Sequence, residues 1–115
     1  MATIKISDLT KLALTDEQGM KLRRKMEPFL EEGESVELDF EDIKLFASMF
    51  CNASIGFFIL KYSPEVVAKM VKLININKLG LETFEHSIAN ATLIYKKNLD
   101  CSKIEDITKK TIDEF

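Results

Sequence analysis

The chain of 115 residues holds one histidine, two cysteines, two prolines and four glycines, and these scarcities remove whole classes of chemistry. The single histidine, His86, lies between Glu85 and Ser87 without further His or Cys at metal-ligand spacing, so no zinc-type site is expected. No Gly-x-Ser-x-Gly elbow accompanies it, and His86 reads as a surface residue on a helix. Cys51 and Cys101 make neither a disulfide framework nor a metal pair. Cys51 sits in an apolar run and reads as a small buried hydrophobe, whereas Cys101 lies in a polar segment and reads as an exposed free thiol. The glycines form no Gly-x-Gly-x-x-Gly or Walker-type phosphate loop. Residues 1–5 lack the charged-then-apolar pattern of a secretory signal, so the expected compartment is a reducing cytoplasm.

What is present fits one globular domain: 46% hydrophobic and 30% charged residues, in a length with no room for a second core. The net charge of -3 argues against general nucleic-acid binding, which needs a clustered basic surface. A local basic run does exist, at Lys21, Arg23, Arg24 and Lys25. Asp16, Glu17, Glu27, Glu31 and Glu32 flank it, so it reads as a solvated helix face. Residues 45–60 contain no charged side chain but number only about 16, short of the roughly 20 needed to span a bilayer. With Asn52, Ser54 and nearby Lys44, this stretch predicts a buried helix and not a membrane segment.

Periodicity divides the chain into alternating strands and helices. Residues 3–6 read as a short strand, and 12–14 as a possible second. Thr15 with Gln18 three residues on is a capping box, and Asp16 and Glu17 suit the positive end of a helix dipole. Leu22, Met26, Phe29 and Leu30 form one apolar stripe, and Gly33 closes the helix. Pro28 removes a backbone donor and is expected to bend the last turns. Val36, Leu38 and Phe40 then alternate as a strand, with a loop over 41–46 and a helix over 49–62. Pro64 fits either a stop or the first turn of a short helix through Met70, and 71–76 is another strand. Leu81, Phe84, Ile88, Ala91 and Tyr95 lie at helical spacing, giving a helix to about Lys97.

A break is expected at 98–100. Ser102 with Glu105 then reads as a second capping box, and Ile104, Ile107, Ile112 and Phe115 as a short amphipathic helix that docks on the domain or on a partner. Strands alternating with helices imply an α/β fold with a largely parallel or mixed sheet. The expectation is a single domain over 1–115 with its core at 15–97, a mixed sheet of about four strands backed by helices, and a C-terminal helical extension.

Enzyme chemistry finds little support. Asp39 ends a strand, where α/β folds carry ligands, but no second acid is placed to pair with it, and it more simply satisfies a loop. The stronger anomaly is the helix after it, with Met49, Phe50, Cys51, Ala53, Ile55, Phe57, Phe58, Ile59 and Leu60 on nearly every face. A helix apolar all round is covered all round, by its own domain or by a partner.

Val36-x-Leu-Asp-Phe40, then Ser48-Met49-Phe50-Cys51-Asn52-Ala53-Ser54-Ile55-Gly56, Tyr62-Ser63-Pro64-Glu65 and Leu73-Ile74-Asn75 together resemble the STAS-like domains of the DUF4325 family, over about 15–97. The resemblance extends to anti-sigma-factor antagonists, and implies a bacterial regulatory module without cofactor that docks on a histidine-kinase-like ATPase. It places Ser48 where such antagonists carry a phosphorylated serine. The usual Asp-Ser-Ser-Gly reads Ala47-Ser48-Met49-Phe50 here, without the acid and the glycine. Ser48 therefore has two readings, phosphoacceptor or helix N-cap, the latter worth about 1 kcal/mol.

The expected function is thus a non-enzymatic protein-binding module with no catalytic, cofactor or metal residues and no nucleic-acid or membrane partner. Its expected partner interface is Met49, Phe50, Asn52, Ala53 and Phe57. The alternative is a self-associating module that forms a homodimer through its apolar or C-terminal helix.

Overall fold

In the computed structural model, backbone is described for residues 1–112 and side chains for residues 1–98. Strand β1 (Ala2–Lys5) leads through a 3-10 turn (Ile6–Asp8) to helix α1 (Asp16–Glu31) and strand β2 (Val36–Asp39). A central helical run follows: α2 (Ser48–Cys51), a π-helical segment (Asn52–Gly56) and α3 (Phe57–Lys61). Helix α4 (Pro64–Met70), strand β3 (Val71–Ile74) and helix α5 (Lys78–Ile112) complete the described residues.

The local signals act as their chemistry dictates. The Thr15 hydroxyl accepts from the Gln18 amide at 3.1 Å while the Gln18 side chain accepts from the Thr15 amide at 3.0 Å, closing the capping box. At the other end Gly33 takes φ +77, the Glu34 amide donates to Phe29 at 2.8 Å and the Gly33 amide to Leu30 at 3.1 Å. That pair of bonds is a Schellman closure, and it requires a residue tolerant of the left-handed region. Pro28 lies inside α1, and the helix continues past it to Glu31. Ser63 caps α4 by accepting from the Val66 amide, with Pro64 in the first turn where its missing donor costs nothing.

The sheet corrects the expectation of about four mixed strands. Among the described residues it has three strands, in the order β1-β2-β3, and both pairings are parallel. The expected strand at 12–14 amounts to one isolated bridge between Ala13 and Phe46, because the chain enters a helix two residues after Phe46 and leaves nothing to pair with. Sequential order with crossovers of one hand puts α1, the central run and α4 on the same side of the sheet, and α5 packs against the central run. Ile4, Val36 and Leu38 are accordingly buried beneath the helices. The opposite face carries the rows Thr3–Glu37–Lys72 and Lys5–Asp39–Ile74 in register, and polar side chains of both signs hold it in water.

The central run lies between α1 on one flank and α5 on the other. Phe50, Cys51, Ile55, Phe58 and Ile59 are buried. The π segment explains how. In an unbroken α-helix Phe57 would fall below Phe50 and Phe58 about 80° away. One extra residue in the turn brings Phe58 into line instead, wholly buried, and leaves Phe57 half-buried. The Ser54 hydroxyl donates to the Phe50 carbonyl at 2.8 Å inside this turn.

Helix α5 corrects the expected break at 98–100. It runs without interruption through that stretch, since Asn98, Leu99 and Asp100 include neither proline nor glycine and their propensity costs are fractions of a kcal/mol. Ser102 and Glu105 consequently fall mid-helix and not at a helix start. The exposure expected for Cys101, the stripe of Ile104, Ile107, Ile112 and Phe115, and the docking of that stripe lie outside the described residues. Among the described residues no helix is long and apolar enough to cross a membrane.

Candidate functional site

The loop from β2 to the central run is built on strand ends. Asp39 accepts from the Glu41 amide at 2.9 Å and from the Asn75 side chain at 3.0 Å, tying the ends of β2 and β3 together. These two bonds, the Glu41 amide first, hold the Asp39 carboxyl below its ordinary pKa. Its acceptor capacity serves the loops, in line with the structural reading of this residue. Asp42 and Asn75 both take positive φ, 72 and 54, a conformation to which short polar side chains are suited. Asn77 reaches across to the Lys44 carbonyl at 3.2 Å and accepts from the Gly80 amide at 2.7 Å.

Beneath these bonds lies an aromatic cluster. Phe84 meets Phe40 at 5.2 Å, Phe46 at 6.3 Å and Phe50 at 6.3 Å between ring centroids, each edge-on. Gly80 permits the approach, for a Cβ there would stand 2.6 Å from the Phe46 ring. From the other flank the Ala13 amide donates to Leu45 at 3.4 Å and Ala13 accepts from Ala47 at 2.9 Å. The segment leading to Ser48 is therefore clamped on both sides.

That clamp overturns the N-cap reading of Ser48. Ala47, held extended at φ -138 and ψ 153 by its bridge to Ala13, is the cap, and it has no side-chain acceptor. Ser48 is the first helical residue, exposed beside exposed Leu45 and Met49. A helix start without a capping oxygen leaves its first amides to water or to an anion.

The expected interface divides in the same way. Met49 is 54% exposed and Asn52 is exposed, so both are available to a partner. Phe50 is wholly buried among the phenylalanines and cannot touch one, because the first turn directs it at Phe84. Ala53 is half-buried on the α1 side, close to Gly19, and Phe57 is half-buried under the Arg23 guanidinium, 4.3 Å from the ring centroid. These five residues do not form one surface. Asn52 also accepts a hydrogen bond from the Ser87 hydroxyl, which joins α5 to the π segment. The sequence offered no signal for that contact.

Cys51 is buried as expected, and burial pushes its thiol up to about 12. His86 is exposed on α5, as its polar neighbours indicated. Among the described residues no group of three or more His, Cys, Asp and Glu is gathered as metal ligands.

A parallel sheet layered with helices on one face, its buried central helix entered from a strand-end loop, defines an α/β domain. Residues 18–81, more than half of the chain, match the STAS-like domain of unknown function, DUF4325, and the chain belongs to that family. No curated protein and no solved structure matches it.

Proposed function

We propose that this chain is a non-enzymatic regulatory module that binds a histidine-kinase-like ATPase through the end of the molecule bearing Leu45, Ser48 and Met49. One observation carries the reading: Ser48 stands exposed at an uncapped helix start, beside two apolar side chains that are 52% and 54% exposed. The apolar pair supplies contact area, and the serine supplies a means of release. A phosphoryl group there would meet unpaired amides and the positive end of the helix dipole, and would add about -2 charge to the contact. The clamped backbone presents this surface already shaped, so little ordering entropy is lost on docking.

The test combines the chain with a kinase-like ATPase encoded beside its gene. Complex formation, weakened by Met49→Asp, and phosphoryl transfer detected by intact mass and abolished by Ser48→Ala, are the expected results. Absence of both binding and transfer with every such neighbour would sink the proposal.

A second reading rests on a separate observation. A groove of about 200 Å³ between the central run and α5 is lined by Asn52, Gly56, Leu60, Asn90, Ala91 and Ile94, with Leu60, Leu93 and Ile94 exposed around it. It suits self-association into a homodimer. A sedimentation mass that stays monomeric at all concentrations would remove this reading.

A further inference from the structure

The basic run of α1 is split by the fold, and the division makes a binding surface on a face the proposed function does not use. Arg23 turns to the Phe57 ring. Lys21, Arg24 and Lys25 instead line a groove of about 590 Å³, together with Pro28 and Phe29 of the same helix and Leu9 from the preceding connection. The packed side of α1 is a different one, formed by Gly19, Leu22, Met26 and Leu30.

The groove has two chemistries. Three exposed cations occupy the turns at 21–25, and exposed Pro28 with half-buried Phe29 and half-buried Leu9 provide its apolar part. Among the described residues the one salt bridge joins Lys61 to Glu31, so these cations have no carboxylate at ion-pair distance. Along the helix axis, 21 to 29 covers about 12 Å, the reach of roughly four residues of extended peptide.

The geometry points to a docking groove for a short acidic segment of a partner protein, one whose carboxylates adjoin a pair of large apolar side chains. Charge complementarity selects the acid, and the apolar part selects its neighbours. A nucleic acid fits poorly, because a longer polyanion would run into Glu17, Glu27 and Glu31 on the same helix and Glu32 at its C-cap. A membrane fits poorly too, since Leu9 and Phe29 are half-buried and exposed Pro28 alone offers too little apolar area to insert. The inference does not depend on the ATPase reading.

The test uses the full chain and a fluorescein-labelled hexapeptide, EDLFEE, followed by anisotropy and by amide chemical shifts. Binding is expected, with shifts centred on Leu9 and on residues 21–29. Arg24→Glu with Lys25→Glu, both on exposed positions, should weaken it at least tenfold while the circular dichroism spectrum is retained. The peptide EDSSEE should bind at least fivefold more weakly than EDLFEE, which tests the apolar part without altering the protein. Met49→Asp, which disables the other surface, should leave peptide binding unchanged. Equal affinity for the reversed variant, equal affinity for EDSSEE, no binding at millimolar peptide, or tighter groove-dependent binding of oligouridine or phosphatidylglycerol vesicles would each overturn the inference.

Discussion

Helices α1 and α5 flank the same central run and hold it by different means. On the α1 side the contact is close to backbone level: a Cβ on Gly19 would stand 2.5 Å from the Phe50 carbonyl oxygen and 2.8 Å from the Ala53 Cβ. On the α5 side the contact is made by side chains, Phe84 among three other phenylalanines and Ser87 on Asn52. The α1 interface depends on something missing, a side chain at Gly19, whereas the α5 interface depends on something large and one specific polar bond. The two should therefore fail in opposite ways, α1 by crowding and α5 by emptying.

The largest effect should come from emptying. Phe84→Ala is expected to cost about 3–5 kcal/mol, read by urea denaturation, since it removes a wholly buried ring from the cluster. A cost below about 1 kcal/mol would mean that α5 is not a structural wall of the core. Crowding should come next. Gly19→Ala gains helix propensity but forces α1 away from a backbone oxygen, for a net loss of about 1–3 kcal/mol. Stabilisation by this substitution would show that the two helices can separate freely.

Ser87→Ala should cost about 1 kcal/mol, the net worth of one hydrogen bond, and Asn52→Ala should add little in the double variant. Full additivity would mean that the pair is not coupled. The smallest expected effect is kinetic. In a Cys101→Ser background, Cys51 should resist thiol reagents at pH 8, because its thiol is buried and its pKa is raised from 9.0 to about 12. The sign follows directly: the unfolded thiol ionises above about pH 9 while the folded one does not, so its contribution to stability declines as pH rises from 9 towards 12. Modification should accelerate in Phe84→Ala and in Gly19→Ala, and equal protection in both variants would erase the contrast.

Helix α1 was legible almost completely, because each of its signals is local. Thr15, Gln18, Gly33 and the 22–26–30 stripe act within a turn or two of themselves. The Val36–Leu38–Phe40 alternation was legible for the same reason, and of the two readings of Pro64 the helix start is the one found, with Ser63 as its cap. What escaped depends on distant partners. The cap at Ala47 is set by Ala13, more than thirty positions away, and the burial of Phe50 is set by Phe84. The length of α5 was missed because Asn98 and Asp100 are weak breakers, and weak breakers yield to a helix already nucleated. At the candidate site the structural duty of Asp39 matched the reading and Met49 and Asn52 are exposed, while the capping role given to Ser48 falls to Ala47. The apolar residues on every side of the central run were themselves a signal of the π turn, since a helix that changes phase midway must carry two inward stripes.

That change of phase has a consequence for how relatives can be related to this chain. A family member lacking the extra residue would have a central helix that keeps one phase, and the position matching Phe57 would point inward while the position matching Phe58 turned outward. Contacts made before Ser54 would correspond residue for residue, and those after Gly56 would correspond only after a step of one. The turn at Asn52–Gly56 works like a vernier between the two halves of the helix: its first half is indexed to Ser48 and the strand-end loop, its second to Tyr62 and α4.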